Sequence, residues 1–78
     1  MFYTYVLLSK KDGKLYIGYT DNLKKRVGEH AKGLVEPTKT RRPLALVYYE
    51  ACLNQEKALK REKYFKTGFG RKFLKVRV

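Results

Sequence analysis

The chain has no tryptophan, one cysteine, one histidine, two prolines and seven acidic residues in 78 positions. Each scarcity closes off a class of protein. A lone Cys52 cannot form an intrachain disulfide or a cysteine-based zinc site, so the sequence reads as that of a protein from a reducing compartment, with Cys52 a small core filler. No stretch approaches the roughly 20 apolar residues of a spanning helix, and the basic segments lack a clean apolar face, so neither a spanning nor a surface membrane role is expected. Met1-Phe2-Tyr3-Thr4-Tyr5 is not a charged region leading into a long apolar run, and a cytoplasmic location is the expectation.

What is abundant is positive charge. Nineteen Lys and Arg against seven Asp and Glu leave a formal +12, which needs a polyanion to offset it, and nucleic acid is the default partner. Seven Tyr, four Phe and a hydrophobic content of 44% supply one modest core, which argues against a disordered basic tail. Residues 1–78 are therefore read as a single domain without a linker.

Phe2 to Ser9 and Leu15 to Thr20 are aromatic and β-branched, and the Asp12-Gly13 pair between them predicts a tight β-hairpin. With Asp12-Gly13 at the turn centre, Tyr5 faces Thr20 and Leu7 faces Gly18. Alternation puts Tyr3, Tyr5, Leu7, Tyr16, Gly18 and Thr20 on one face, which looks like a site. Thr4, Val6, Leu8, Leu15, Ile17 and Tyr19 fall on the other, which looks like core. Asp21 or Asn22 can cap a helix with Leu23, Val27 and Ala31 on its buried stripe, ending near Gly33. Val35 to Arg42 reads as a loop closed by Pro43, and Leu44 to Ala51 as a third strand. Asn54 can cap a second helix to about Lys66, with Ala58, Leu59 and Phe65 buried and Gly68 ending it; Arg71 to Val78 is read as a short third helix packing Phe73 and Leu74 with Phe69.

Arg26 and His30 lie four apart on the first helix and point the same way, at the edge of its buried stripe. Glu62 is the oddity, a carboxylate on an apolar stripe, which calls for a metal or a cation partner; Lys66, one turn on, could be that partner.

These residues resemble the GIY-YIG nucleases. Tyr3-Thr4-Tyr5 is similar to the first motif, Tyr16-Ile17-Gly18 is the second motif verbatim, Arg26 resembles the helix arginine, His30 a histidine four residues beyond it, and Glu62 the metal-binding glutamate. The first motif keeps only its tyrosine, and the asparagine many members carry near the end of the domain is missing. The resemblance covers nearly the whole chain and looks most like the small stand-alone bacterial members. It implies an α/β fold: a small three-stranded antiparallel sheet flanked by two main helices and a short C-terminal helix. It also implies a metal-dependent endonuclease cutting DNA, branched or flapped forms included. Tyr5, Tyr16, Arg26, His30 and Glu62 would be catalytic, and Glu62 would be the carboxylate on Mg²⁺ or Mn²⁺. Tyr5 with His30 is read as the base relay and Tyr16 as positioning the attacking water, although family members differ on which tyrosine takes the proton.

From Lys57 onward nine basic residues face Glu62 alone, an electrostatic track in which Lys66, Arg71 and Lys72 are candidate phosphate contacts, extended by Lys24, Lys25, Arg41 and Arg42. No base-reading element is present, so DNA shape or a second, targeting protein would choose the target. The protein is expected to act as a monomer. Two other readings are an inactive GIY-YIG domain that only binds nucleic acid and a basic RNA-binding accessory protein, the latter leaving Glu62 unexplained.

Overall fold

The computed structural model describes residues 1–78. Strands β1 (Phe2–Ser9), β2 (Leu15–Thr20) and β3 (Leu44–Cys52) form one antiparallel sheet in the order β2-β1-β3. Helix α1 (Leu23–Ala31) follows the hairpin, and α2 (Gln55–Phe65) and α3 (Gly68–Lys75) close the chain. No helix is long and apolar enough to cross a membrane.

The hairpin is wider than expected. Tyr5 faces Gly18 and Leu7 faces Tyr16, a register two residues from the predicted one. The cause is Ser9: its hydroxyl oxygen accepts from the backbone N–H groups of Lys11 and Asp12, both at 3.2 Å. Ser9 then closes the loop against Lys14, and Gly13 takes the left-handed conformation at φ 72°. Two residues is the strand period, so the slip leaves every side chain on its predicted face.

The core lies where alternation put it. Val6 and Ile17 pack with Phe65 and Leu74, flanked by Leu15, Val47, Tyr48 and Phe73. The Thr4 hydroxyl donates to the Ala58 carbonyl at 2.7 Å, pinning α2 to the central strand. From the same helix, Arg61 donates to both Glu50 carboxylate oxygens at 2.9 and 3.1 Å and lies over the Phe65 and Phe73 rings.

Asn22, Asn54 and Thr67 cap the three helices through their side chains. Several local expectations need correction. Helix α3 begins at Gly68, because Thr67 caps there, and Phe69 faces solvent instead of packing with Phe73 and Leu74. Leu59 is 37% exposed, not buried, since Ala58 and Phe65 already occupy the contact with the sheet. On α1 the buried residue is His30, and Ala31 is exposed. Cys52 is half-buried at the end of β3, where its sulfur accepts from the Asn54 N–H, and is not a core residue. The segment read as a loop contains a 3-10 helix, Glu36–Arg41, with Thr38 fully buried.

Candidate active site

Helix α1 crosses the sheet face opposite the core and brings His30 down onto the tyrosines. The predicted site face is thus closed: Tyr5 and His30 are each 1% exposed. Gly18 makes room for this. It sits directly across from Tyr5 in the ladder, and a methyl group at Gly18 would overlap the Tyr5 ring and hydroxyl. The glycine of the Tyr16-Ile17-Gly18 motif is therefore needed for a neighbour's side chain to lie flat, and not for any unusual backbone angle.

The Tyr5 hydroxyl lies 2.8 Å from His30 Nε2, and His30 Nδ1 lies 2.7 Å from the Thr38 hydroxyl oxygen. Tyr5 and Tyr16 both meet the imidazole edge-on, with ring centroids at 5.6 and 5.2 Å. Burial drives the Tyr5 phenol above its ordinary pKa; the Arg26 guanidinium beside its oxygen pulls the other way, and nearby Tyr16 and Glu62 add to the rise. Burial, then the positive charge of Arg26, lowers the pKa of His30, which is accordingly neutral near pH 7. Both groups are held uncharged at rest.

Arg26 is held by Glu29, whose carboxylate accepts from its guanidinium at 3.2 Å, one turn along α1. Both residues line an open pocket of about 450 Å³ at the start of α1, with Tyr19, Thr20, Lys25 and Gln55. Glu62 reaches the same region from α2, on the other side of the sheet, close enough for its charge to oppose ionisation of Tyr5. Its side chain is 20% exposed, at the edge of the α2 stripe, and one oxygen accepts from Lys66 at 3.4 Å. The bland partner expected for Glu62 is thus present, in a long and partly exposed pair.

Nearly the whole chain matches a known domain: the model of the GIY-YIG catalytic domain fits residues 1–74. The chain belongs to the GIY-YIG family. Its relatives are UPF0213 proteins, small stand-alone members. The UPF0213 protein SSP2268 of Staphylococcus saprophyticus is 43% identical over 92% of this chain and 90% of its own length. The UPF0213 protein SH2523 of Staphylococcus haemolyticus is 45% identical over 81% of this chain and 79% of its length. The solution NMR structure of the UPF0213 protein BH0048 from Bacillus halodurans superposes with a TM-score of 0.59 at 33% identity, over 95% of this chain and 82% of that one.

Within this GIY-YIG domain the basic residues have unequal roles. Lys24, Lys25, Lys66, Arg71 and Lys72 are exposed. Arg71 and Lys75 line an open cleft of about 750 Å³ with Lys14 and Arg41, floored by Leu15 and Ile17 of β2, the strand that carries Tyr16. Arg41 is engaged there: it donates to Asp12 at 2.9 Å and to the Lys14 carbonyl at 3.2 Å. Arg42 donates to the Lys39 and Ala31 carbonyls, tying the 3-10 segment to the end of α1. Arg61 and Arg77, counted in the track from sequence, lie over aromatic rings, Arg77 at 3.6 Å from the Phe73 centroid.

Two contributors escaped the sequence reading. Glu29 was legible in principle, being three residues from Arg26 on a predicted helix. Thr38 was not, because no periodicity marks a residue of a one-off 3-10 segment, and only the return of the chain under α1 brings it to His30.

Proposed function

We propose that this protein is a metal-dependent endonuclease that hydrolyses DNA phosphodiester bonds, branched or flapped structures among its substrates. The observation that carries the reading is the buried contact between Tyr5 and His30, placed beside an arginine that is itself anchored by Glu29. A buried structural tyrosine would need one hydrogen-bond partner, but not an arginine held beside that pair.

In this reading Arg26 holds the scissile phosphate, its planar fork matching two phosphate oxygens. Attack requires a water to lose a proton. That proton passes to the Tyr5 oxygen as the phenol proton moves to His30 Nε2. The new bond from water oxygen to phosphorus forms while the bond from phosphorus to the 3′ oxygen breaks, and the leaving oxygen is protonated from solvent. Because Tyr5 resists ionisation and His30 resists protonation, the relay does not separate charge before attack; the two transfers accompany it. Tyr16, edge-on to the imidazole, would orient the water.

Glu62 fits a hard divalent cation such as Mg²⁺ or Mn²⁺. It is the one carboxylate from α2 near the relay, only one of its oxygens is engaged, and a single carboxylate suits an ion that keeps most of its waters. When bound, such an ion supplies charge stabilisation to the leaving 3′ oxygen. The exposed lysines and arginines would carry the flanking phosphates through the cleft along β2. With no base-reading element, we assign target choice to DNA shape or to a separate targeting protein, and action to the monomer.

The test is incubation with branched, flapped, single-stranded and duplex DNA plus Mg²⁺ or Mn²⁺, beside an EDTA control and Arg26→Ala. Metal-dependent cleavage by the wild type that Arg26→Ala loses supports the reading. No cleavage of any substrate, with a melting temperature indifferent to metal, would instead favour a domain that only binds nucleic acid.

A further inference from the structure

We infer that Thr38 is a positioning residue that locks His30 in the Nδ1–H tautomer, leaving a bare Nε2 to receive the Tyr5 proton. The inference rests on the nuclease reading for its consequence, whereas the orientation rests on the hydrogen bonds about Thr38, His30 and Tyr5.

Histidine at rest carries one ring proton, and which nitrogen holds it decides whether Tyr5 donates to the ring or accepts from it. Distances do not distinguish these cases, so the partners on either side must. At the far side, Thr38 is fully buried and its hydroxyl proton needs an acceptor. The Val35 carbonyl receives the Thr38 N–H at 3.1 Å and lies 3.4 Å from the Thr38 hydroxyl oxygen. With that proton turned to Val35, only lone pairs face His30, and Nδ1 must bring the hydrogen across the 2.7 Å contact. At the near side, Arg26 has only donors and stands beside the Tyr5 oxygen. Tyr5 must therefore turn its own hydrogen toward something that accepts, and Nε2 is 2.8 Å away.

The opposite arrangement fails at the same end. If Thr38 donated to Nδ1, Nε2–H would donate to Tyr5, whose oxygen would then receive both His30 and Arg26 while its own hydrogen pointed away from the ring. No other hydrogen-bond acceptor for the Tyr5 hydroxyl is present in the structure. A relay with that tautomer could not take a proton from Tyr5. Thr38 thus does for this imidazole what an orienting carboxylate does for the histidine of a hydrolase triad, without adding a charge.

The chain has a single histidine, so its ring nitrogens give unambiguous signals. Long-range ¹H–¹⁵N correlation on the ¹⁵N-labelled full chain, above the His30 pKa, should show a pyrrole-like Nδ1 and a pyridine-like Nε2. Thr38→Val should mix the tautomers and lower kcat about 10- to 1000-fold with KM little changed, since Thr38 does not touch DNA. Thr38→Ser should restore both signals and rate. A protonated Nε2 in the wild type overturns the inference, even if cleavage is robust. So does Thr38→Val with unchanged tautomer and rate. If the wild type cuts nothing yet shows the Nδ1–H form, the orientation holds and the nuclease reading is what fails.

Discussion

At Tyr5, burial and a hydrogen bond do opposite jobs, and the balance decides what the residue can be. The phenol is too deeply placed to ionise by itself, yet its oxygen lies between a cation and an imidazole, so it can pass a proton without keeping a charge. His30→Ala should then slow cleavage about 100- to 10,000-fold and change its pH profile, with DNA affinity little altered. The proposed relay needs neutral His30, whose pKa burial lowers from its ordinary 6.5, so cleavage by the wild type should persist below that pH and fall as the folded-state value is passed. Stability follows the same sign. Below about 6.5 the unfolded chain takes up a proton the native state resists, so stability present above that pH is lost as pH falls toward the native value. Melting curves from pH 8 to 5 should show this slope weakened in His30→Gln. Glu62→Gln separates ligand from salt-bridge partner: as a ligand it should abolish metal-dependent cleavage while binding persists or tightens. If cleavage survives and Lys66→Met costs similar stability, Glu62 is only the partner of Lys66. Gly18→Ala should displace Tyr5, costing about 1–3 kcal/mol of stability and most of the activity, read by melting and by cleavage.

At the scale of elements, two sheet faces solve two problems. The face under α2 and α3 is packed with apolar groups, and Thr4 ties α2 to β1 through one buried hydrogen bond. The face under α1 carries the polar chain Tyr5, His30, Thr38. Between α2 and β3, Arg61 bridges Glu50 and three aromatic rings, and Tyr48 donates to the same carboxylate at 2.8 Å. The pair is only about two-thirds shielded, so its contribution is modest. Glu50→Gln should lower the melting temperature by about 4–8 °C, corresponding to about 1 kcal/mol, and leave DNA affinity unchanged or higher. A fall in affinity at constant stability would mean that Arg61 contacts phosphate after all.

Over the whole molecule, a charge of +12 on a domain with a radius of gyration of 11.9 Å needs its partner's charge. The cations that remain free are not spread evenly: Arg71 and Lys75 meet Lys14 across the cleft along β2, while Lys24 and Lys25 lie in the first turn of α1. Affinity for DNA should therefore fall steeply with salt, by a slope of about 0.9 for each phosphate neutralised, and should depend little on sequence. Arg71→Ala should reduce that slope by about one unit, whereas Arg61→Met should not. Fluorescence anisotropy across a salt series checks both. A shallow slope, or strong preference for one duplex sequence at equal salt, would remove the electrostatic track from the account.

What the sequence determined by itself is periodic or local. Strand alternation assigned Val6 and Ile17 to one face and Tyr5 and Tyr16 to the other, and survived a two-residue register slip because two is the strand period. Asn22 and Asn54 announced their helices, since a cap is a contact within three residues. The order of Tyr5, Tyr16, Arg26, His30 and Glu62 identified the family. Depth and partnership were decided only by the tertiary structure. An i to i+4 spacing placed His30 at a stripe's edge, but its burial depends on how closely α1 settles on the sheet, which Gly18 and Thr38 control from other elements. Likewise nine basic residues after Lys57 look alike along the chain, and only packing sets Arg61 and Arg77 on aromatic rings while leaving Arg71 and Lys72 to solvent. Periodicity specifies direction around an axis, whereas distance between elements is set by side chains far apart in sequence, and the buried chain Tyr5, His30, Thr38 is made of such distances.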